Sequence, residues 1–195
     1  SIYTSDAPRP QHGGEKPRVV YYGSTARMRD YAGYPSGVGG KWEGGYAGKA
    51  IQDMRKELWN VFIGVNPGTE HVIAPFFDEA YPYVENIRKF AEVLTGSHAD
   101  VGIAPLGGDS FDKCKSELHW LEYAMVGAAF IGERFKYGEA PYSMVRHGVD
   151  GMLAKGRQEW FDTVKALVRS KDLRQQLAGA AKERVLKEYD YKDRA

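Results

Sequence analysis

Apolar residues in this chain come in short unbroken runs, and between the runs they recur at helical spacing. Val19-Val20-Tyr21-Tyr22, closed by Gly23, reads as a buried strand. Residues 59–65, 100–106 and 128–132 read the same way, the second of them halted at Pro105. Residues 71–74 (His-Val-Ile-Ala) and 151–154 (Gly-Met-Leu-Ala) predict two shorter strands. Ile51, Met54 and Leu58 predict a helix over 47–58. Val84, Ile87, Phe90, Ala91 and Leu94 predict another over 83–94, and further helices are predicted over 114–126, 157–168 and 171–188. Strands that alternate with helices imply parallel pairing, with helices on both faces of the sheet. The strand runs are continuously apolar, as burial on both faces demands. The prediction is α/β: a Rossmann-like doubly wound parallel sheet over residues 19–195. Ligands of such sheets sit outside the carboxyl ends of the strands. The loops after Gly23, Val65, Leu106 and Gly132 are therefore the places to look for a site.

A length of 195 residues fits one such domain. Residues 1–18 carry Pro8, Pro10, Pro17, Gly13 and Gly14 and read as a linker or extended arm, with the expectation that another segment once preceded it. Lys plus Arg number 27 against 26 Asp plus Glu, so a net charge of +1 gives no electrostatic case for nucleic-acid or membrane binding. The one cysteine, Cys114, excludes an internal disulfide. No apolar run reaches the roughly 18 residues of a membrane span, and no basic-then-apolar leader is visible. A cytoplasmic protein is expected. The 23 glycines exceed the usual share, and many fall between Gly33 and Gly48. That stretch fits either a phosphate cradle or a surface loop, and composition favours the loop.

Several residues are candidates for chemistry. On a helical wheel Lys115, Leu118, Glu122, Met125 and Val126 share one arc, which puts Glu122 on an apolar side. A buried carboxylate is costly unless satisfied. Glu122 is thus either a helix-edge residue reaching water or a local Lys, or a group that accepts ligand hydroxyls. Lys115 and Ser116, at the expected helix start after Gly107 and Gly108, could meet a phosphate. The same residues also fit an ordinary capped helix with surface lysines. Arg27 and Arg29 follow the first strand, and Arg suits bidentate phosphate contacts. The five histidines are scattered without metal-ligand spacing, so no metal is expected. Cys114 has no resolving partner and reads as a bystander thiol. The chain has no Walker motif, complete Gly-x-Gly-x-x-Gly fingerprint or HExxH.

Three segments then carry a resemblance: Ala99–Leu106, Phe111–Leu118 and Leu121–Ala128. A strand ending "aDvgiaPl" before a "KS-x-L-K-x-L-E-Y-A-x-x-G" helix resembles the C-terminal nucleotide-sugar-binding domain of GT-B glycosyltransferases, in the branch related to retaining family 4 enzymes (group 1). Residues 129–132, 145–153 and 173–181 resemble the elements that follow, and Val20–Ser24 with Asp30 resembles the opening strand and loop. The resemblance spans about residues 18–192 and is weak over 31–50. It implies a domain that binds a UDP- or GDP-linked sugar donor and supports glycosyl transfer to a glycan, lipid or protein acceptor, without a bound metal. It also implies a second, N-terminal Rossmann domain that this chain does not supply.

Residue roles follow by position. Glu122 matches the second Glu of the E-x7-E motif and would hold the ribose. The first Glu falls at Cys114, so that motif is incomplete. Lys115 and Ser116 would face the diphosphate, Arg27 matches a basic residue after the first strand, and Lys41 and Lys49 are further candidates. Gly107, Gly108 and the residues up to Ser110 would lie near the donor sugar. The base would be held around the third strand and its following loop, near Val72 to Pro75. An alternative is a nucleotide-binding module that has lost transferase activity. An unrelated Rossmann-like protein is a third reading, but the chain lacks the dinucleotide fingerprint and a phosphoacceptor acid at a strand end.

Overall fold

The computed structural model describes residues 16–35, 42–43, 45–107, 110–135 and 141–189. In chain order these form β1 (Arg18–Tyr22), a 3-10 turn (Thr25–Arg27), α1 (Met28–Ala32), β2 (Tyr34–Pro35), β3 (Trp42–Glu43), α2 (Tyr46–Asp53) and β4 (Trp59–Val65). Then come α3 (Glu70–Ile73), β5 (Glu79–Pro82), α4 (Ile87–Gly96), β6 (Val101–Ala104), α5 (Ser110–Lys113) and α6 (Leu118–Val126). The chain closes with β7 (Ala129–Glu133), β8 (Met152–Ala154), α7 (Gly156–Arg169) and α8 (Lys171–Glu188).

Six strands form one sheet in the order β5-β4-β1-β6-β7-β8, and every pairing is parallel. This is the doubly wound arrangement that the sequence predicts. β2 and β3 make a separate antiparallel ladder. Successive side chains of a strand point to opposite faces, and β1 distributes the core accordingly. Val19 and Tyr21 join one apolar cluster, with Tyr31 of α1, Ile51 of α2 and Trp160 of α7. Val20 and Tyr22 join the other, with Leu94 of α4 and Trp120 and Tyr123 of α6. Tyr22 therefore faces α6, and Tyr21 faces away from it. From β1 the chain winds outward through β4 and β5, then returns to the far side of β1 as β6. The crevice between β1 and β6 is the topological switch point, where such sheets take their ligands.

Two expectations fail locally. Residues 71–74 are not a strand: Glu70–Ile73 is a single helical turn, and the third strand is Glu79–Pro82 instead. That strand is an edge, alternating half-covered Glu79 and Tyr81 with exposed Ala80 and Pro82, so it lacks the unbroken apolar run of the inner strands. Nor is 114–126 one helix. α5 ends at Lys113, and α6 starts at Leu118. Of the glycines between 33 and 48, Gly45 and Gly48 serve packing: a Cβ at Gly48 would strike the Tyr31 carbonyl, so α2 comes close against α1 only without one. Residues 36–41 and 44, with Lys41 among them, lie outside the described residues, as does nearly all of the expected linker. Among the described residues no helix is long and apolar enough to cross a membrane.

Candidate functional site

Two adjoining hollows open at the carboxyl ends of β1, β4 and β6. One, of about 320 Å³, is lined by Tyr22, Gly23, Ser24, Arg27, Asp30, Pro105, Leu106, Lys115 and His119 among others. The second, of about 240 Å³, is lined by Gly64, Val84, Ile87, Phe90, Leu118 and Glu122. They share Tyr22, Gly23, Ser24 and Tyr83, so they form one cleft that bends around the end of β1. A larger hollow of about 490 Å³ lies against α3 and β5; Ile73 and Ala74 border it, but Glu122, Lys115, Ser116, Arg27 and Gly107 do not.

Glu122 stands one turn inside α6 and is 4% exposed. The wheel position anticipated that burial. What satisfies the carboxylate comes from 100 positions away: the Tyr22 hydroxyl donates a hydrogen bond to it. Burial and the neighbouring Glu122 charge raise the Tyr22 phenol well above its usual range, so it remains a donor. The Tyr22 ring lies against His119, with centroids 4.4 Å apart and planes 16° apart, and against Phe90 edge-on. Burial, then the Lys115 charge, lower the His119 imidazole to about 4. His119 is thus neutral at physiological pH. It stands where the resembling motif has its second Lys, so this cleft lacks a cation there.

On the other side of Tyr22 lie the cations. Lys115 Nζ is 2.7 Å from Asp112 Oδ1 and 4.0 Å from Asp30 Oδ2. Arg27 Nη1 is 3.3 Å from each of those same two carboxylates. The Asp30 and Asp112 side chains are 1% and 0% exposed, whereas Arg27 and Lys115 are 22% and 20% exposed. The acids are therefore beneath, and the bases reach the cleft. Burial and the Asp112 charge push the Asp30 carboxyl up, against the opposing pull of Lys115, Arg27 and Arg29. Phe111 is exposed, with the Arg27 guanidinium 4.9 Å and Lys115 Nζ 5.8 Å from its ring centroid.

Of Glu122, Lys115, Ser116, Arg27, Gly107 and Gly108, three line the cleft: Glu122, Lys115 and Arg27. Ser116 is exposed in the link between α5 and α6 and lines neither hollow, because the helix expected to start there begins only at Leu118. Gly107 is exposed just beyond β6, and Gly108 lies outside the described residues. Lys49 borders a different hollow beside α2. Val72 to Pro75, expected near a base, do not line the cleft; Tyr83, Val84 and Glu85, which follow the true third strand, do. Cys114 is exposed, in the turn after α5. Among the described residues no group of three or more His, Cys, Asp or Glu side chains is placed to hold a metal ion. Asp30, Asp112, Tyr22 and His119 are the site residues that spacing alone does not reveal.

The model of the family described as glycosyl transferase-like matches residues 80–195. The chain belongs to that family. Its fold is that of the C-terminal domain of a group 1, GT-B glycosyltransferase. The C-terminal domain of the group 1 glycosyl transferase LpcC from Francisella tularensis superimposes with a TM-score of 0.60 at 16% identity, over 91% of this chain and 87% of that one. HepE from Anabaena, solved with UDP and glucose, gives a TM-score of 0.62 at 11% identity over 91% of this chain and 46% of its own. TarM from S. aureus, in a complex that includes UDP, gives 0.61 at 12% identity over 98% and 36%. The chain of this glycosyl transferase-like domain thus spans less than half the length of HepE and TarM. No curated protein sequence matches it.

Proposed function

We propose that this domain is the donor-binding half of a two-domain glycosyltransferase and that the cleft receives the nucleoside diphosphate of a UDP- or GDP-linked sugar. The observation that carries this reading is the division of the cleft around Tyr22. A buried carboxylate suited to ribose hydroxyls lies on one side, and two partly exposed cations suited to a diphosphate lie on the other. Glu122 holds the ribose, Arg27 and Lys115 meet the phosphates, and the base rests by Tyr83–Glu85, beside exposed Ile87. During transfer the bond from the sugar's anomeric carbon to the β-phosphate oxygen breaks, an acceptor hydroxyl oxygen bonds that carbon in its place, and the hydroxyl proton leaves with the nucleoside diphosphate. Negative charge develops on the departing diphosphate, where fixed cations stabilise it most. The acceptor, a glycan, lipid or protein, is brought by an N-terminal Rossmann domain in the same or another chain, and the reaction takes place in the cytoplasm without a bound metal. The alternative of a module without transferase activity is not favoured, since the family match runs from β5 to the end of the chain.

Calorimetric titration with UDP, GDP, ADP and NAD in EDTA tests this directly. Saturable binding of UDP or GDP is expected, and binding of NAD alone would overturn the assignment. Glu122→Ala should weaken UDP and uridine alike, by roughly 1–3 kcal/mol, the usual cost of losing charged hydrogen bonds. Unchanged affinity in a folded variant would remove Glu122 from the ribose. Lys115→Ala should behave differently and weaken UDP by about tenfold while uridine changes by less than about twofold, because a nucleoside has no phosphate for it to meet. Equal losses for both ligands would take Lys115 away from the diphosphate.

A further inference from the structure

Asp30 and Asp112 are buried at the floor of the cleft, beneath the two bases that reach into it. An ionised carboxylate removed from water is retained only if it is paired. Here the two acids come from separate elements, α1 and α5, yet they converge on the same bases. Asp112 Oδ1 is 2.7 Å from Lys115 Nζ and 3.3 Å from Arg27 Nη1, and Asp30 Oδ2 is 3.3 Å from that same guanidinium nitrogen. Arg27 stands at the end of the 3-10 turn after β1, and Lys115 stands in the link before α6. Backbone alone does not hold two such side chains together, and a lysine has a flexible stem with much rotamer freedom to lose.

We infer that Asp30 and Asp112 are positioning residues that gather Arg27 and Lys115 side by side at the β1–β6 crevice, so that a diphosphate meets both cations already in place. The inference rests on the donor-site reading above. Two cations that share one carboxylate oxygen repel each other once that charge is gone, and they splay. The buried acids also repel an incoming phosphate. Arg27, Arg29 and Lys115 nevertheless outnumber them, with Arg29 Nε 3.7 Å from Asp30 Oδ1, so the cluster stays net positive and pre-organisation decides the sign.

The test is a double-mutant cycle read by calorimetry with UDP and uridine. Asp112→Asn should weaken UDP by about tenfold and leave uridine within about twofold, the size of one lost charged interaction. In a Lys115→Ala background the same substitution should cost less than about threefold, because its closer partner is already gone and Arg27 keeps Asp30. Asp30→Asn supplies a second variant, with the same expected pattern at smaller size, should Asp112→Asn fail to fold. Tighter or unchanged UDP binding in Asp112→Asn overturns the inference, as does a parallel loss of uridine, which marks a merely structural role. Those results leave wild-type UDP binding standing. A folded wild-type chain that binds neither UDP nor GDP overturns the donor-site reading, and this inference with it.

Discussion

Gly64→Ala should lower the melting temperature by roughly 8–16 °C, a loss of about 4 kcal/mol in a domain of this size. Gly64 lies in β4 at the edge of the cleft, with φ of +123°, where a side chain is strained whatever the space around it. Space is lacking as well. A Cβ there would run into the Gly23 carbonyl oxygen, which belongs to rigid backbone at the end of β1. The neighbouring strand cannot retreat, because the Gly23 amide donates to the Ile63 carbonyl at 3.0 Å. Gly68→Ala is the control: its φ is +80°, but nothing lies within 4 Å of an added Cβ. It should cost only about 1 kcal/mol of backbone strain. Calorimetric or optical melts of both variants decide the matter, and equal shifts would mean that the close approach at Gly64 is not what matters. Since Gly23 also lines the cleft, Gly64→Ala should disturb nucleotide binding even where the fold survives.

The second large effect concerns pH. Burial raises the Glu133 carboxyl, at the end of β7, to about 7, against the pull of the hydrogen bond it accepts from Trp160 Nε1 at 3.0 Å. Its folded value is therefore above the unfolded one. Its stabilising contribution is complete below the unfolded value and is lost as pH rises through about 7. Over that window the loss approaches about 3 kcal/mol. His119 acts in the opposite direction. Its folded value is lowered to about 4, so its contribution is complete above the unfolded value and is lost as pH falls through about 4. The two windows overlap, and there these two contributions offset each other. Glu133→Gln keeps an acceptor for Trp160 and removes the titration. Its stability should climb from pH 4 to 6.5 and exceed that of the wild type at pH 8 by up to about 3 kcal/mol. Denaturant melts at pH 5, 6.5 and 8 would show this. Parallel wild-type and variant curves would mean that Glu133 titrates normally.

The inner strands were legible because burial on both faces leaves an unbroken apolar run, and β1, β4, β6 and β7 all carry one. β5 was not, because an edge strand with exposed Ala80 and Pro82 has no such signature, while the apolar turn at Val72 and Ile73 imitates one. The expectation of a base near Val72 to Pro75 rested on that exchange. Glu122 was legible because a carboxylate on the apolar arc of a helix is an anomaly even without coordinates. Lys115 and Arg27 could be named from chemistry and resemblance. What could not be read was their convergence, since the Arg27–Asp112 pair spans 85 positions and the Tyr22–Glu122 pair spans 100. No spacing rule connects residues that only a completed sheet brings together. Ser116 lies off the cleft for a local reason: the chain makes a turn at Cys114 instead of entering the helix.

The place of β1 at the centre of the sheet also bears on how the domain comes off the ribosome. β1 pairs with β4 on one side and with β6 on the other. Of the six strands it is synthesised first, and β6 emerges only some eighty residues later. At roughly 5–20 residues per second, one edge of a strand made of Val19, Val20, Tyr21 and Tyr22 waits about 4–16 s for its neighbour. During that interval the nascent chain presents a row of unpaired backbone N–H and C=O groups flanked by apolar side chains, the kind of edge that recruits other chains. The length of that exposure is set by the order of strands alone.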